Sequence, residues 1–147
     1  MGGRFFVCPQ PQNREIGASV FGSLTWIEVA RVGSIPASGI TTEFQASASA
    51  LTRVNAKVKG ASDAGGGPLE CAMVPNDPGQ MLLRAIGEPD NFNAYAFKHE
   101  HPDSGLVSYN RGFVAGPQRN GGRAEDFILE TFELAFVQVE IVTYESA

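Results

Sequence analysis

Charge is scarce in this chain. Only 18% of its 147 residues are Asp, Glu, Lys or Arg, against roughly a quarter in an average soluble domain. So little charge is a poor match for a surface that faces water everywhere, and it favours an assembly whose subunits cover one another. Basic runs are missing too. Eleven Lys and Arg against sixteen Asp and Glu leave a net charge of −5, so the electrostatic footprint of a DNA or RNA binder is absent. No apolar run approaches the roughly 20 residues of a membrane helix. The apolar patch Phe5 to Val7 is too short for the core of a signal peptide, which predicts a product made in the cytoplasm. Residue 6 is Phe6, where a myristoylation signal needs Ser or Thr. Two cysteines, Cys8 and Cys71, lie far apart and make no disulfide framework. They read as ordinary reduced thiols.

What is present is turn chemistry and alternation. The chain has 17 Gly and 9 Pro, and its length suffices for one domain with a core that needs no staples. Residues 1–22 show no periodicity and are expected to form an extended arm, leaving 23–147 as the single domain. "SLTWIEVARVGSIP" is rich in β-branched and aromatic residues and predicts a strand, broken at Pro36 and Gly39. In "ITTEFQASASAL", Thr42, Phe44, Ala46 and Ala48 alternate with Thr41, Glu43, Gln45, Ser47 and Ser49. This strand should have one wetted face. A long loop is expected at about 48–68, ending in three glycines. "LECAMV" is a short strand.

"VPNDPGQMLLRAIGEP" stands apart as the one predicted helix. Asp77 suits the N-cap, Pro78 the first helical position, and Gln80 completes a capping-box spacing. Met81, Leu82, Ala85 and Ile86 form an apolar stripe expected to pack on a sheet. Gly87 and Pro89 end the helix, and Arg84 is its single charge. "FNAYAFKHEH" and "LVSYNRGFVAG" read as two strands around the turn "PDSG", with a bulge expected at Gly112. "FILETFELAFVQVEIVTYE" reads as one long strand, bulged near Ala135. Adjacent strands with hairpin signals predict a mainly β, antiparallel sandwich or barrel with one flanking helix.

Candidate chemistry is thin. His99 and His101 fall on one face of a strand about 7 Å apart, a spacing that serves Zn or Fe if a third ligand joins. A metal-binding cupin wants Gly six residues before the first His and Glu soon after the second. This chain has Asn93 and no Glu in "PDSGLVSYN". No Ser lies in a nucleophile elbow. The Gly65–Gly67 run lacks the Lys and Ser/Thr of a phosphate loop. Glu130 and Glu133 fall on opposite strand faces, which argues against a shared acid/base site. No catalytic residue, metal or cofactor is expected.

The order of elements resembles a family. "DPGQMLLRAI", then "NAYAFKHEHPDSGLVSYNRGFV", then "FILETFELAFVQVEIV" resemble the major tail tube proteins of long-tailed, siphovirus-type bacteriophages. The motif positions are Asp77, Gly79 and Gln80; Tyr95, Phe97, Pro102, Asp103 and Gly105; and Gly112 beside Phe113. Upstream, "WIEVARVGSI", "TTEFQASAS" and "KVKG" look like the family's first strands and long loop. The resemblance covers residues 24–142; the N-terminal arm has no counterpart, and Ser104 is inserted before the turn glycine. It implies a tail-tube fold and a structural, non-enzymatic subunit of the virion tail. It further implies homohexameric rings that stack into a tube, partnered by tape measure, terminator and distal tail proteins, with DNA passing through the lumen unbound. On that footing Thr41, Glu43, Gln45 and Ser47 are the expected lumen face, and Arg53, Lys57, Lys59 and Asp63 the expected ring-stacking loop. The competing expectations are a metal-binding β-sandwich enzyme using His99 and His101, and a related ring protein such as a tail terminator.

Overall fold

In the computed structural model, residues 3–36, 38–47, 56–102, 104–119 and 128–144 are described, with backbone alone for 38, 40, 41, 43–47 and 56–61. Their order is β1 (Arg4–Pro11), α1 (Ala18–Ser23), β2 (Ile27–Val29), β3 (Val32–Ser34), β4 (Ser38–Ser47), β5 (Ala56–Ala72), α2 (Pro78–Ile86), β6 (Tyr95–Glu100), β7 (Leu106–Arg119), β8 (Leu129–Phe136) and β9 (Ile141–Tyr144).

All strand pairs among them are antiparallel, in the order β2-β1-β6-β7-β8-β5-β3, with β4 on β5 and β9 on β7. The two ends of that order, β2 and β3, are joined by only two residues, Ala30 and Arg31. The sheet therefore curls until its first and last strands meet at a chain corner, giving a half-barrel. Arg31 takes a left-handed φ of 58° there, and its carbonyl accepts from Ala72 N at 3.0 Å.

The concave side holds the main core. Phe5, Val7, Val29, Leu69, Cys71, Phe97, Val114, Phe132, Leu134 and Phe136 are buried there with Leu83 and Ile86 of α2. Phe97 stacks on Phe5 with centroids 5.8 Å apart and meets Phe136 at 6.0 Å. On the convex side α1 covers β1, β6 and β7. Phe21 is fully buried there against Tyr109, Cys8 and Ala96. Strands buried on both faces explain why the aromatic alternation of "RFFVC" and "YAFKH" has no polar side.

Asp77 caps α2 as expected, accepting from Gln80 N at 3.0 Å. The same carboxylate accepts from Ala30 N at 3.1 Å, so one side chain fixes both the helix start and the sheet corner. The buried stripe of α2 differs from the expected one. Met81 is 53% exposed and Ala85 is exposed, Leu82 is half-buried, and Gly79, Gln80, Leu83 and Ile86 point inward. The cause is close packing at the helix start. A Cβ on Gly79 would overlap the Glu28 carbonyl oxygen and stand 2.6 Å from Val29 Cα, so the helix turns this glycine to the strand. Gln80 then spans the gap, donating to Ala30 O (2.8 Å) and Ala72 O (2.9 Å) and accepting from Val74 N (2.7 Å).

Other expectations are corrected. Residues 4–11 are not an arm but a strand inside the sheet, paired with both β2 and β6, and a second helix, α1, follows. Residues 56–68 are not a loop but most of β5. The glycines there pair in register, Gly66 with Ala135 and Gly67 with Leu134, because a Cβ on Gly66 would clash with the Leu134 carbonyl. The register runs unbroken through Gly112, and β7 is irregular instead between Ala115 and Gln118. Gly112 serves close approach, since a Cβ there would stand 2.8 Å from Phe136 Cα. The C-terminal strand is two strands, β8 and β9, which follow one another along β7 around a kink at 137–140.

Candidate assembly surface

Strand β5 is 17 residues long, and only its second half belongs to the half-barrel. Gly66 to Ala72 pair with β8, and Glu70 and Cys71 pair with β3. The first half, with β4, forms a two-stranded ribbon that pairs with no other strand among the described residues. The ribbon starts where the glycines release the chain. Gly65, Gly66 and Gly67 have φ of 96°, 139° and 141°, a region that suits glycine. A lone two-stranded ribbon is marginal in water, and its free edges present unpaired N–H and C=O groups.

The ribbon brings together two sets of residues that the sequence places on different elements. Thr41 pairs with Asp63, Gln45 with Val58 and Ser47 with Ala56. Lys57 stands opposite Ala46 and Lys59 opposite Phe44. Glu43 lies where the register shifts, between the Thr42–Ser62 and Phe44–Lys59 pairs. Thr42 Oγ1 meets Ser62 Oγ at 2.9 Å, and the exposed Asp63 accepts from Gly65 N at 2.9 Å to close the ribbon's root. The side chains of Thr41, Glu43, Gln45, Ser47, Lys57 and Lys59, and all of Arg53 and Asp103, lie outside the described residues.

At the far end of the β5–β8 pairing from the ribbon, where Cys71 faces Glu130, a buried ion network locks helix to sheet. Glu130 is fully buried on β8. Arg84 of α2 donates to it at 2.6 Å, and Arg119 of β7 at 3.0 Å. Burial pushes the Glu130 carboxyl up, but Arg84 and then Arg119 outweigh it and hold the group below the ordinary carboxylate range. Arg84 also donates to Gln80 Oε1 at 2.9 Å. A second polar hub, Gln138, fixes the kink after β8. It accepts from Arg111 Nε (2.8 Å) and Ile16 N (3.1 Å) and donates to Ile16 O (2.6 Å). Sequence reasoning missed Gln80, Glu130 and Gln138 as structural hubs. Their one signal is a polar residue at an otherwise apolar phase of the pattern.

His99 and His101 come together as rings 4.0 Å apart, tilted by 36°, and His101 Nε2 lies 3.3 Å from Ser108 Oγ. Among the described residues no group of three or more His, Cys, Asp or Glu is placed to hold a metal ion. No helix among them is long and apolar enough to cross a membrane.

No protein-family model matches the chain, and no curated protein matches it. Solved structures do. A chain from the six-fold symmetrised cryo-EM structure of the anti-feeding prophage (AFP) baseplate is similar at a TM-score of 0.64 and 11% identity, covering 97% of this chain and 93% of that one. A chain from the hybrid solid-state NMR and cryo-EM structure of the SPP1 tail tube is similar at 0.60 and 9% identity, covering 98% and 77%. This protein is a curled antiparallel half-barrel with short helices, and its fold is tail-tube-like from end to end.

Proposed function

We propose that this protein is a structural subunit of a bacteriophage tail, and specifically of the tail tube. Copies close into hexameric rings, the rings stack, and the lumen conducts DNA during ejection. The observation that carries the reading is the likeness over almost the whole chain to subunits of a tail tube and of a six-fold symmetrised baseplate. The ribbon supports it, because no other described strand pairs with it and a neighbouring copy can supply a third strand. The subunit works in the virion tail after synthesis in the host cytoplasm. It has no enzymatic role, takes no cofactor, and meets tape measure, terminator and distal tail proteins at the tube's ends.

The lumen mechanism follows from charge. DNA must slide without sticking. A wall of small polar and acidic side chains repels phosphates weakly, in keeping with the net charge of −5. We assign Thr41, Glu43, Gln45 and Ser47 to that wall. Arg53, Lys57, Lys59 and Asp63 are assigned to contact between rings.

Negative-stain microscopy of the purified protein at rising concentration tests this reading. Rings or tubes of uniform diameter are expected, and persistently monomeric particles even with a tail initiation complex refute it. The double reversal Lys57→Glu/Lys59→Glu should weaken stacking. If the variant polymerises normally, these lysines are not stacking residues. The likeness to a baseplate chain favours one alternative, a ring that closes a tail without polymerising. Rings that never stack at any concentration would select it.

A further inference from the structure

Gly3, just before β1, lies against the end of β6 with no room for a side chain. A Cβ there would overlap the Glu100 carbonyl oxygen and stand 2.7 Å from His99 Nε2. His99 is opposite Phe5 on one side and Ser108 on the other, and its ring lies on that of His101 at 4.0 Å. Gly3 thus lies against His99, whose ring is paired with that of His101. Empty space flanks the pair. One cavity of about 280 Å³ lies between the rings and the Val32–Ile35 stretch, and one of about 380 Å³ lies beside the turn that carries Pro102 and Gly105. The rings have room to part.

We propose that the His99–His101 stack is a proton-operated latch. Uncharged, it holds the Gly3–Arg4 segment along the end of β6; charged, it lets that segment go.

Most of the surrounding charges pair with one another. On β6, Lys98 pairs with Glu100 at 3.2 Å. From β1, Arg4 pairs with Glu28 of β2 at 2.8 Å and with Glu100 at 3.7 Å. The β3 side contributes Val32, Gly33 and Ile35, which do not titrate. From β7 the facing group is Ser108, and on β9 Tyr144 stands opposite Leu106. Among the described residues Glu140, before β9, is the acid that favours a charged His99. Asp103 lies outside the described residues. Burial, then the neighbouring His101, pull His99 below the ordinary imidazole range against Glu140. An opened segment takes up the proton at the ordinary value, so falling pH favours the open form throughout the interval between the two. A second charge 4.0 Å from the first adds repulsion that only separation relieves, and protonated His101 keeps Ser108 only as an acceptor.

Amide hydrogen exchange on the full chain tests the latch, with rates corrected for the intrinsic pH dependence and β8 as internal reference. Protection of the N-terminal peptide should fall about tenfold between about pH 7.5 and 5.5 while β8 holds. In His99→Gln/His101→Gln the fall should vanish. In His101→Gln alone it should shrink and end at a higher pH, because the like charge that helps depress His99 is gone. Unchanged protection in the wild type overturns the proposal, as does an equal fall in the double variant. Should the double variant lose β8 protection, NMR titration of the wild type decides. The Gly3 amide and the His99 ring must share one midpoint, and separate midpoints refute the latch.

Discussion

Replacing Glu130 by Gln removes the charge that Arg84 and Arg119 share. The carboxylate has no exposed surface. The side chain of Arg84 is only 18% exposed, while that of Arg119 is 46% exposed. Removing one partner of a buried pair costs about 3–5 kcal/mol. The lower end applies here, because Arg84 keeps Gln80 Oε1 and the Val74 and Pro75 carbonyls. The Arg119 leg is half in water and adds well under about 1 kcal/mol. The expected loss is therefore about 3 kcal/mol, or roughly 6–12 °C in Tm for a chain of this size. Urea and thermal unfolding followed by circular dichroism measure it. Arg84→Leu/Glu130→Leu should recover most of the loss, since the one charge left without its partner, Arg119, is half in water. The sign in pH is fixed by the lowered Glu130 pKa. Its contribution is complete above the ordinary carboxylate value and is lost as pH falls through the depressed folded value. The Gln variant lacks that part of the acid-side loss. A cost below about 1 kcal/mol for Glu130→Gln, or a double variant no better than the single, refutes the account of Glu130 as the pin between helix and sheet.

Two further perturbations probe the same packing. Gly79→Ala should destabilise by about 3 kcal/mol in urea melts, because the new methyl meets the Glu28–Val29 backbone. Helix propensity alone predicts a gain of about 1 kcal/mol, so the sign of the change decides. Cys71 should resist iodoacetamide near pH 8 in the folded protein and react once unfolded in urea, as read by mass spectrometry. Burial first, then Glu130, push its thiol up to about 11, and fast native labelling would contradict that placement.

The sequence by itself determined the local structure. Asp77 and Pro78 start α2 because capping and a proline-fixed φ are short-range demands, whereas Gly87 at its end answers to a close approach by the distant Gly116 carbonyl. The turn between β6 and β7 and the antiparallel, mainly β class were legible for the same reason: alternation and turn residues act within a few positions. What the tertiary structure alone decided involves partners distant in sequence. Residues 4–11 look like an arm because "RFFVCPQP" has no polar face, and that is what a strand covered on both sides requires. The glycines of β5 read as flexible, yet Gly66 is held by the Leu134 carbonyl, 68 positions away in the chain. The face of α2 turned by one position because Gly79 meets strand β2, a contact that no helical period encodes. The joining of the expected lumen and stacking residues into one ribbon likewise needed the β4–β5 register. Spacing along a strand fixes which neighbours share a face, but only the fold fixes what that face meets.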